Sequence, residues 1–162
     1  MALRTILTEE NELLRKVSRP VTNFDARLHL LLDDMAETLR DAGGVGLAAP
    51  QVGVLRRLFL VDLGDEILEC INPEILETEG EQTGMEGCLS VPGKYGIVTR
   101  PERVRIRAQD RDGNWFEAED TELIARCFCH EYDHLDGKLY LDLAKQMLTE
   151  EDVAKLMEEE EA

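Results

Sequence analysis

Leu123-Ile124-Ala125-Arg126-Cys127-Phe128-Cys129-His130-Glu131-Tyr132-Asp133-His134-Leu135-Asp136-Gly137 reads as a helix with its own stop. Leu123, Cys127, His130 and His134 fall on one stripe, and Ile124, Phe128 and Leu135 on its neighbour, while Gly137 supplies the terminator. The spacing predicts a helix over Asp120 to Leu135. A helix this apolar packs deeply, and a sheet has to close against it.

His130-Glu131-Tyr132-Asp133-His134 within it is an HExxH element. Residues four apart lie one turn above each other, so both imidazoles can reach one metal ion while Glu131 stands beside it as general base. The plainer alternative is a helix face with two surface histidines. Against it, these are two of only three histidines in the chain, and the helix is too apolar for a surface rod. A catalytic site that keeps one position open for water needs a third protein ligand. Cys88, in Glu86-Gly87-Cys88-Leu89-Ser90, is the best candidate, because no apolar periodicity explains it as core filler and Gly87 lets the backbone come close. Cys70 lies in a strand-like run and is read as a small buried hydrophobe. Cys127 shares the face of His130 and Glu131 and is placed in the lining of a substrate pocket, whereas Cys129 points off that stripe.

Outward from this helix, Leu28, Leu31, Leu32, Met35 and Leu39 recur at helical spacing between Asp25 and Asp41, with Gly43-Gly44 as the stop. RRLFLVDL and EILECINPEIL are strand-length apolar runs broken by Gly64 and Pro73. From Asp62 to Gly87 there are nine acidic residues and no Lys or Arg. Arg103, Arg105 and Arg107 alternate with Val104, Ile106 and Ala108, the pattern of a strand with one face in solvent. Asp112-Gly113 mark a hairpin into a strand around Trp115 and Phe116. Thr149-Glu150-Glu151-Asp152 resembles a capping box for a short helix carrying Val153, Leu156 and Met157, with the last two expected to dock on the body and Glu158 to Glu161 to stay solvated. The order predicts an α+β fold, with antiparallel or mixed sheets packed around the HExxH helix. With 162 residues the chain is read as one domain, 1–162, in which 148–162 form a short acidic helix and tail.

Hydrophobic residues at 43% and charged residues at 33% suffice for a core and a polar shell. The formal charge of −17 repels phosphate backbones and anionic lipid, which argues against nucleic-acid and membrane partners. The start lacks a basic leader with a long apolar segment, and no apolar run approaches the roughly 18 residues of a membrane span. A cytoplasmic location with reduced cysteines is therefore expected.

Gly44-Val45-Gly46-Leu47-Ala48-Ala49-Pro50-Gln51 is the remaining unusual segment. By itself it is a helix terminus and a turn, without the Lys-Ser or Lys-Thr of a phosphate loop. GVGLAAPQ, EGCLS and HEYDHLDG together, in this order, strongly resemble the peptide deformylase family, from about Ile6 to Tyr140. The resemblance implies removal of the formyl group from N-terminal formyl-methionine of nascent polypeptides, with formate released. It implies Cys88, His130 and His134 as metal ligands and Glu131 as the acid/base. Gln51 and the backbone N–H of Leu89 match the stabilisers of the developing oxyanion, and Gly46 matches the backbone position that pairs with the substrate. Val45, Gly87 and Cys127 complete the expected substrate-binding residues. The family commonly works with Fe²⁺, some members use Zn²⁺, and Ni²⁺ or Co²⁺ are active replacements. Departures from the family pattern are Cys129, where many members have glutamine, Tyr95, where some have arginine, and an N-terminal turn without Pro-Asp-Pro. An HExxH metallopeptidase and a metal-stabilised non-catalytic adaptor are the competing readings, and retention of both Glu131 and Gln51 speaks against the adaptor. The oligomeric state stays open, with a monomer favoured.

Overall fold

The structure, a computed structural model, describes residues 2–161, the side chains of residues 160 and 161 excepted. Helix α1 spans Ala26–Ala42. Asp25 caps it by accepting from the Leu28 N–H at 3.1 Å, and Gly43 ends it in the left-handed region at φ 70°. A five-stranded antiparallel sheet follows, in the order β1 (Gly46–Ala48), β2 (Leu58–Asp62), β3 (Ile67–Glu79), β6 (Arg103–Gln109), β7 (Trp115–Thr121). A second sheet of three antiparallel strands is ordered β4 (Gln82–Cys88), β5 (Val91–Arg100), β8 (Gln146–Thr149). Helices α2 (Glu122–Leu135) and α3 (Glu150–Glu161) complete the fold. Among the described residues no helix is long and apolar enough to cross a membrane.

Strand β2 explains why its sequence is a continuous apolar run and not an alternation. Leu58 and Leu60 pack with Leu32, Met35 and Leu39 of α1, whereas Phe59 and Val61 pack with Ala125 and Phe128 of α2. Both faces of the strand are buried, as in a sheet layered between two helices. The HExxH helix therefore sits against the inner face of the large sheet, in a cluster with Val104, Ile106 and Ala108 of β6.

Pro73 does not end a strand as its sequence suggests. β3 runs through it, with a register shift between Ile71 and Glu74 that spares the sheet a missing N–H. Asn72 takes φ 49° at this bulge and clamps Val21, accepting from its N–H at 2.8 Å and donating to its carbonyl at 2.9 Å. The arginine ladder of β6 faces outward as expected, with each arginine placed against glutamates of β3 or β7. The Asp112-Gly113 turn is present, held by the Asp110 carboxylate, which accepts from the N–H groups of Asp112 and Asn114.

The C-terminal expectation needs correcting in one respect. Thr149 and Asp152 do form the reciprocal cap, at 3.0 and 3.2 Å. Leu156 and Met157, however, are 42% and 55% exposed, so they do not dock on the body. The twelve residues of α3 hold too few apolar groups, beside so many acids, to form a buried face. Glu158 and Glu159 are exposed, and Ala162 lies outside the described residues.

Candidate metal centre

Helical geometry stacks His130 and His134 on the buried side of α2, and β4 delivers Cys88 opposite them. One ligand atom from each of the three lies within 4.8 Å of the others, with Cys88 Sγ 3.4 Å from His134 Nε2. A register shift between Glu86 and Cys88 re-aims the end of β4. The donor set suits a divalent transition metal, since a thiolate and two imidazoles are the ligands such ions take. Two further observations fit. His130 Nδ1 is tied to Glu86 Oε2 at 2.7 Å, which leaves Nε2 to point at a cation. Glu131 Oε1, beside the ligands, is a buried polar atom without a protein partner.

Burial pushes the Glu131 carboxyl up to about 7, against the opposing pull of the His130 imidazole. Burial also holds His134 well below the usual histidine range, in the neutral form that a metal requires. For His130 burial acts in the same sense, but the Glu131 charge, the Cys88 thiol and Glu86 outweigh it and raise the group.

Glu86 is the residue that sequence reasoning passed over. It is buried and accepts from His130 Nδ1, from Arg100 Nε at 3.0 Å and Nη2 at 2.6 Å, and from Arg126 Nη1 at 2.9 Å. Burial raises its carboxyl, yet His130 and Arg100 more than offset that and bring it down to about 2. Arg100 Nη1 continues to Asp133 Oδ2 at 2.7 Å. The available signal was a charge inside a stripe otherwise buried: Arg126 stands four residues before His130 on the helix, and Glu86 two before the cysteine.

The GVGLAAPQ segment folds as edge strand β1 followed by a 3-10 turn over Ala49–Val52. Gln51 is buried, and its Oε1 accepts from the Ala48 N–H at 2.9 Å, so the amide end is turned to Ser90 Oγ at 3.1 Å and Cys88 Sγ at 3.6 Å. Ser90, for which the sequence suggested no role, and the Ala48 N–H thus hold the two ends of this amide. Gly46 has no room for a side chain, because a Cβ would sit 2.5 Å from Cys127 Sγ and 2.6 Å from Glu131 Oε2. Leu89 packs its side chain against Gly44.

A cavity of about 370 Å³, lined by Cys88 and His130 of the three ligands, brings together all the other expected residues: Val45, Gly46, Gln51, Gly87, Leu89, Cys127 and Glu131. It lies between two free sheet edges. Among the described residues β1 pairs only with β2, and β4 only with β5. Leu123 and Met85, 57% and 43% exposed, stand at its mouth, so the first turn of α2 is less buried than its pattern predicts. Tyr95 lines the cavity over Gly87. Cys70 is fully buried core, and Cys129 is buried with its thiol raised to about 11 by burial.

Comparison with known proteins gives a consistent picture. The model of the family described as polypeptide deformylase matches residues 3–150. The peptide deformylase of Agathobacter rectalis is 56% identical over 88% of this chain and 90% of its own length, and that of Acetivibrio thermocellus 51% identical over 98% and 93%. Among solved structures, the peptide deformylase of Thermotoga maritima superposes with a TM-score of 0.86 at 39% identity, covering 89% of this chain and 99% of its own. That of Legionella pneumophila does so at 0.85 and 42%, covering 98% and 97%. With the thiol and the two imidazoles clustered, with the thiol, His130, the glutamate and the glutamine lining one cavity, and with relatives this similar over nearly the whole length, the chain belongs to the polypeptide deformylase family.

Proposed function

We propose that this chain carries out its family's reaction, hydrolysis of the formamide at N-terminal formyl-methionine of nascent polypeptides, with Cys88, His130 and His134 holding Fe²⁺. Zn²⁺, Ni²⁺ or Co²⁺ would suit the same donors. The observation that carries the reading is the Gln51 amide turned toward the Cys88 thiol, beside a buried glutamate. Such an ion, when bound, lowers the pKa of water and polarises a carbonyl.

The protein groups then divide the work. Glu131, whose carboxyl burial brings near neutrality, takes the proton of the attacking water and delivers it to the departing amine. Gln51 Nε2 and the Leu89 N–H donate to the oxygen that gains charge, each such donor being worth about 3–4 kcal/mol. Glu86 keeps the proton of His130 on Nδ1 and so orients the ring. The free edge at Gly46 pairs with the substrate backbone, which leaves the sequence beyond the first residue loosely read. Val45, Gly87 and Cys127 wall the cavity around the first residue. The same reading has the chain working as one domain and as a monomer, in the cytoplasm.

The test is anaerobic preparation, metal analysis and formate release from a formyl-methionyl peptide. Glu131→Gln is expected to keep the metal and lose about 10²–10⁴-fold in kcat. Cys88→Ser is expected to lose both metal and activity. Internal peptide cleavage without formate, or wild-type turnover by Glu131→Gln, would overturn the reading.

A further inference from the structure

Charge is spread unevenly over this chain of 35 acids and 18 bases. Between Leu13 and Leu32 there are four basic residues and one acid, and Gly53 to Val61 hold Arg56 and Arg57 with no acid. The fold brings the two stretches together, with Arg19 and Arg56 meeting in a parallel backbone bridge. Where they meet the start of α1 lies a groove of about 650 Å³ that shares no lining residue with the cavity beside the metal ligands. Leu28, Leu31, Val54 and Leu55 give it an aliphatic floor, and Leu30, 52% exposed, stands at its edge. Arg27 and Arg56 line it too, both exposed. Among the described residues neither is in an ion pair, and Arg56 donates only to the Leu55 carbonyl at 3.3 Å. Asp25, the one carboxylate of the lining, is occupied in capping α1.

Helix α3 presents the complement. Val153, Leu156 and Met157 recur at i, i+3 and i+4 and form one stripe, with Glu159 falling to one side of it and Glu158 to the other. In its own chain α3 lies against β8 and β5 and leaves Leu156 and Met157 exposed. One surface thus holds unspent guanidinium groups around an aliphatic floor, and the other holds carboxylates around an aliphatic stripe. No aromatic side chain lines the groove, so nucleic-acid bases would find nothing there to stack on.

We propose that the groove at Arg27 and Arg56 takes helix α3 of a second copy of this chain, with Leu156 and Met157 on its floor and Glu158 and Glu159 against the two arginines. Groove and helix are different surfaces, so the contact is head-to-tail, and copies add in a row or close into a ring. The charge of −17 on each copy opposes the contact at long range. In about 0.15 M salt that repulsion is confined to about 8 Å, whereas pairs in contact are screened far less. Neither surface lines the cavity beside the metal ligands, so the working unit stays one chain and the inference stands apart from the proposed reaction.

Sedimentation equilibrium of the metal-loaded full chain tests it. The weight-average mass is expected near that of one chain at about 20 μM and at least about 1.5-fold above it at about 1 mM. Arg27→Glu with Arg56→Glu, which sets like charges opposite one another, is expected to raise the dissociation constant at least about tenfold, and so is Leu156→Ser with Met157→Ser. The decisive arm mixes the doubly substituted groove variant with Glu158→Lys, Glu159→Lys chains. Each alone is expected to stay single, and the mixture to associate, because each copy then meets a helix of opposite charge. Such rescue also shows that both variants are folded, and a wild-type chain given a peptide of residues 148–162 as competitor reads the same contact without any substitution. A wild type that stays single at about 1 mM, association unmoved by the groove variant, or a mixture that fails to associate would overturn the proposal. So would binding of an RNA duplex that needs Arg27 and Arg56 while the chain stays single.

Discussion

Two arginine–glutamate systems in this molecule use the same chemistry in opposite surroundings. On the outer face of the large sheet, Arg103 and Arg105 bridge Glu77 and Glu79 of β3 to Glu117 and Glu119 of β7. Beside the metal ligands, Arg100 and Arg126 converge on Glu86, with side chains no more than 8% exposed. Water and salt screen the outer pairs, which hold a solvent-facing sheet in register. The inner group has no such screening. Its members are stable only as a set, and the set orients His130. The outer ladder can thus lose a member cheaply, whereas removal of one inner partner strands the charges of the others.

The largest expected effect is at Glu86. Glu86→Gln should destabilise the fold by about 3–5 kcal/mol, since Arg126 is left buried without its counter-charge and Arg100 keeps only the partly exposed Asp133. It should also weaken metal binding about 10–100-fold through loss of the His130 acceptor. Thermal unfolding and metal competition read the two separately. Adding Arg100→Met and Arg126→Met to Glu86→Leu should recover much of the stability and none of the metal affinity. Recovery of both would mean that Glu86 serves packing alone.

Asp133 sits between the extremes, bonded to Arg100 but with 20% of its side chain exposed. Asp133→Asn is expected to cost about 1–2 kcal/mol by urea unfolding, because Arg100 keeps Glu86 and Asp133 can be replaced by water. A loss as large as that of Glu86→Gln would break the distinction drawn between buried and half-buried pairs. The smallest effect belongs to the outer ladder. A double-mutant cycle on Arg105 and Glu117 should give a coupling that fades to within error in about 0.5 M salt. A coupling that persisted there would show the ladder to be far less solvated than its exposure indicates.

A third substitution concerns the entry to the metal helix. Glu122 begins α2 at φ 52°, with its N–H on the Glu102 carbonyl and its own carbonyl accepting from Gln82. Glu122→Gly should stabilise the protein slightly, by less than about 1 kcal/mol, because relief of the left-handed conformation is partly cancelled by glycine's entropy. A clear loss of melting temperature would show that the Glu122 side chain contributes more than its backbone costs.

Features that depend on near neighbours were legible in the residues. The 3.6-residue period placed α1 and α2 to within two residues of their observed ends, and the two histidines one turn apart required no tertiary information. Asp112-Gly113 and the Thr149–Asp152 cap were equally local. Strands β1, β4, β5 and β8 were not anticipated. Short, as β1 and β8 are, or rich in glycine and polar side chains, as β4 and β5 are, their segments lack the alternation that marks a half-buried strand, and they are strands because their partners offer them hydrogen bonds.

The site divides along the same line. HExxH announces two ligands and a base because a helix makes sequence spacing into distance. Cys88 could be suspected from its surroundings, but only the packing of the small sheet against α2 brings its sulfur to the histidines. Nothing local tells Glu86, which spans 44 residues to His130, from the exposed glutamates around it, or Arg126 from the arginines of β6. Nor could the pattern of α3 show that Leu156 and Met157 stay exposed, since an amphipathic stripe says what could be buried and not what lies opposite. The sequence alone determined the helix periods, the turns and the pair of imidazoles. Tertiary structure decided which charges are buried, which strand edges stay open and what faces the metal ligands, because burial and pairing belong to residues that meet only when the chain has folded.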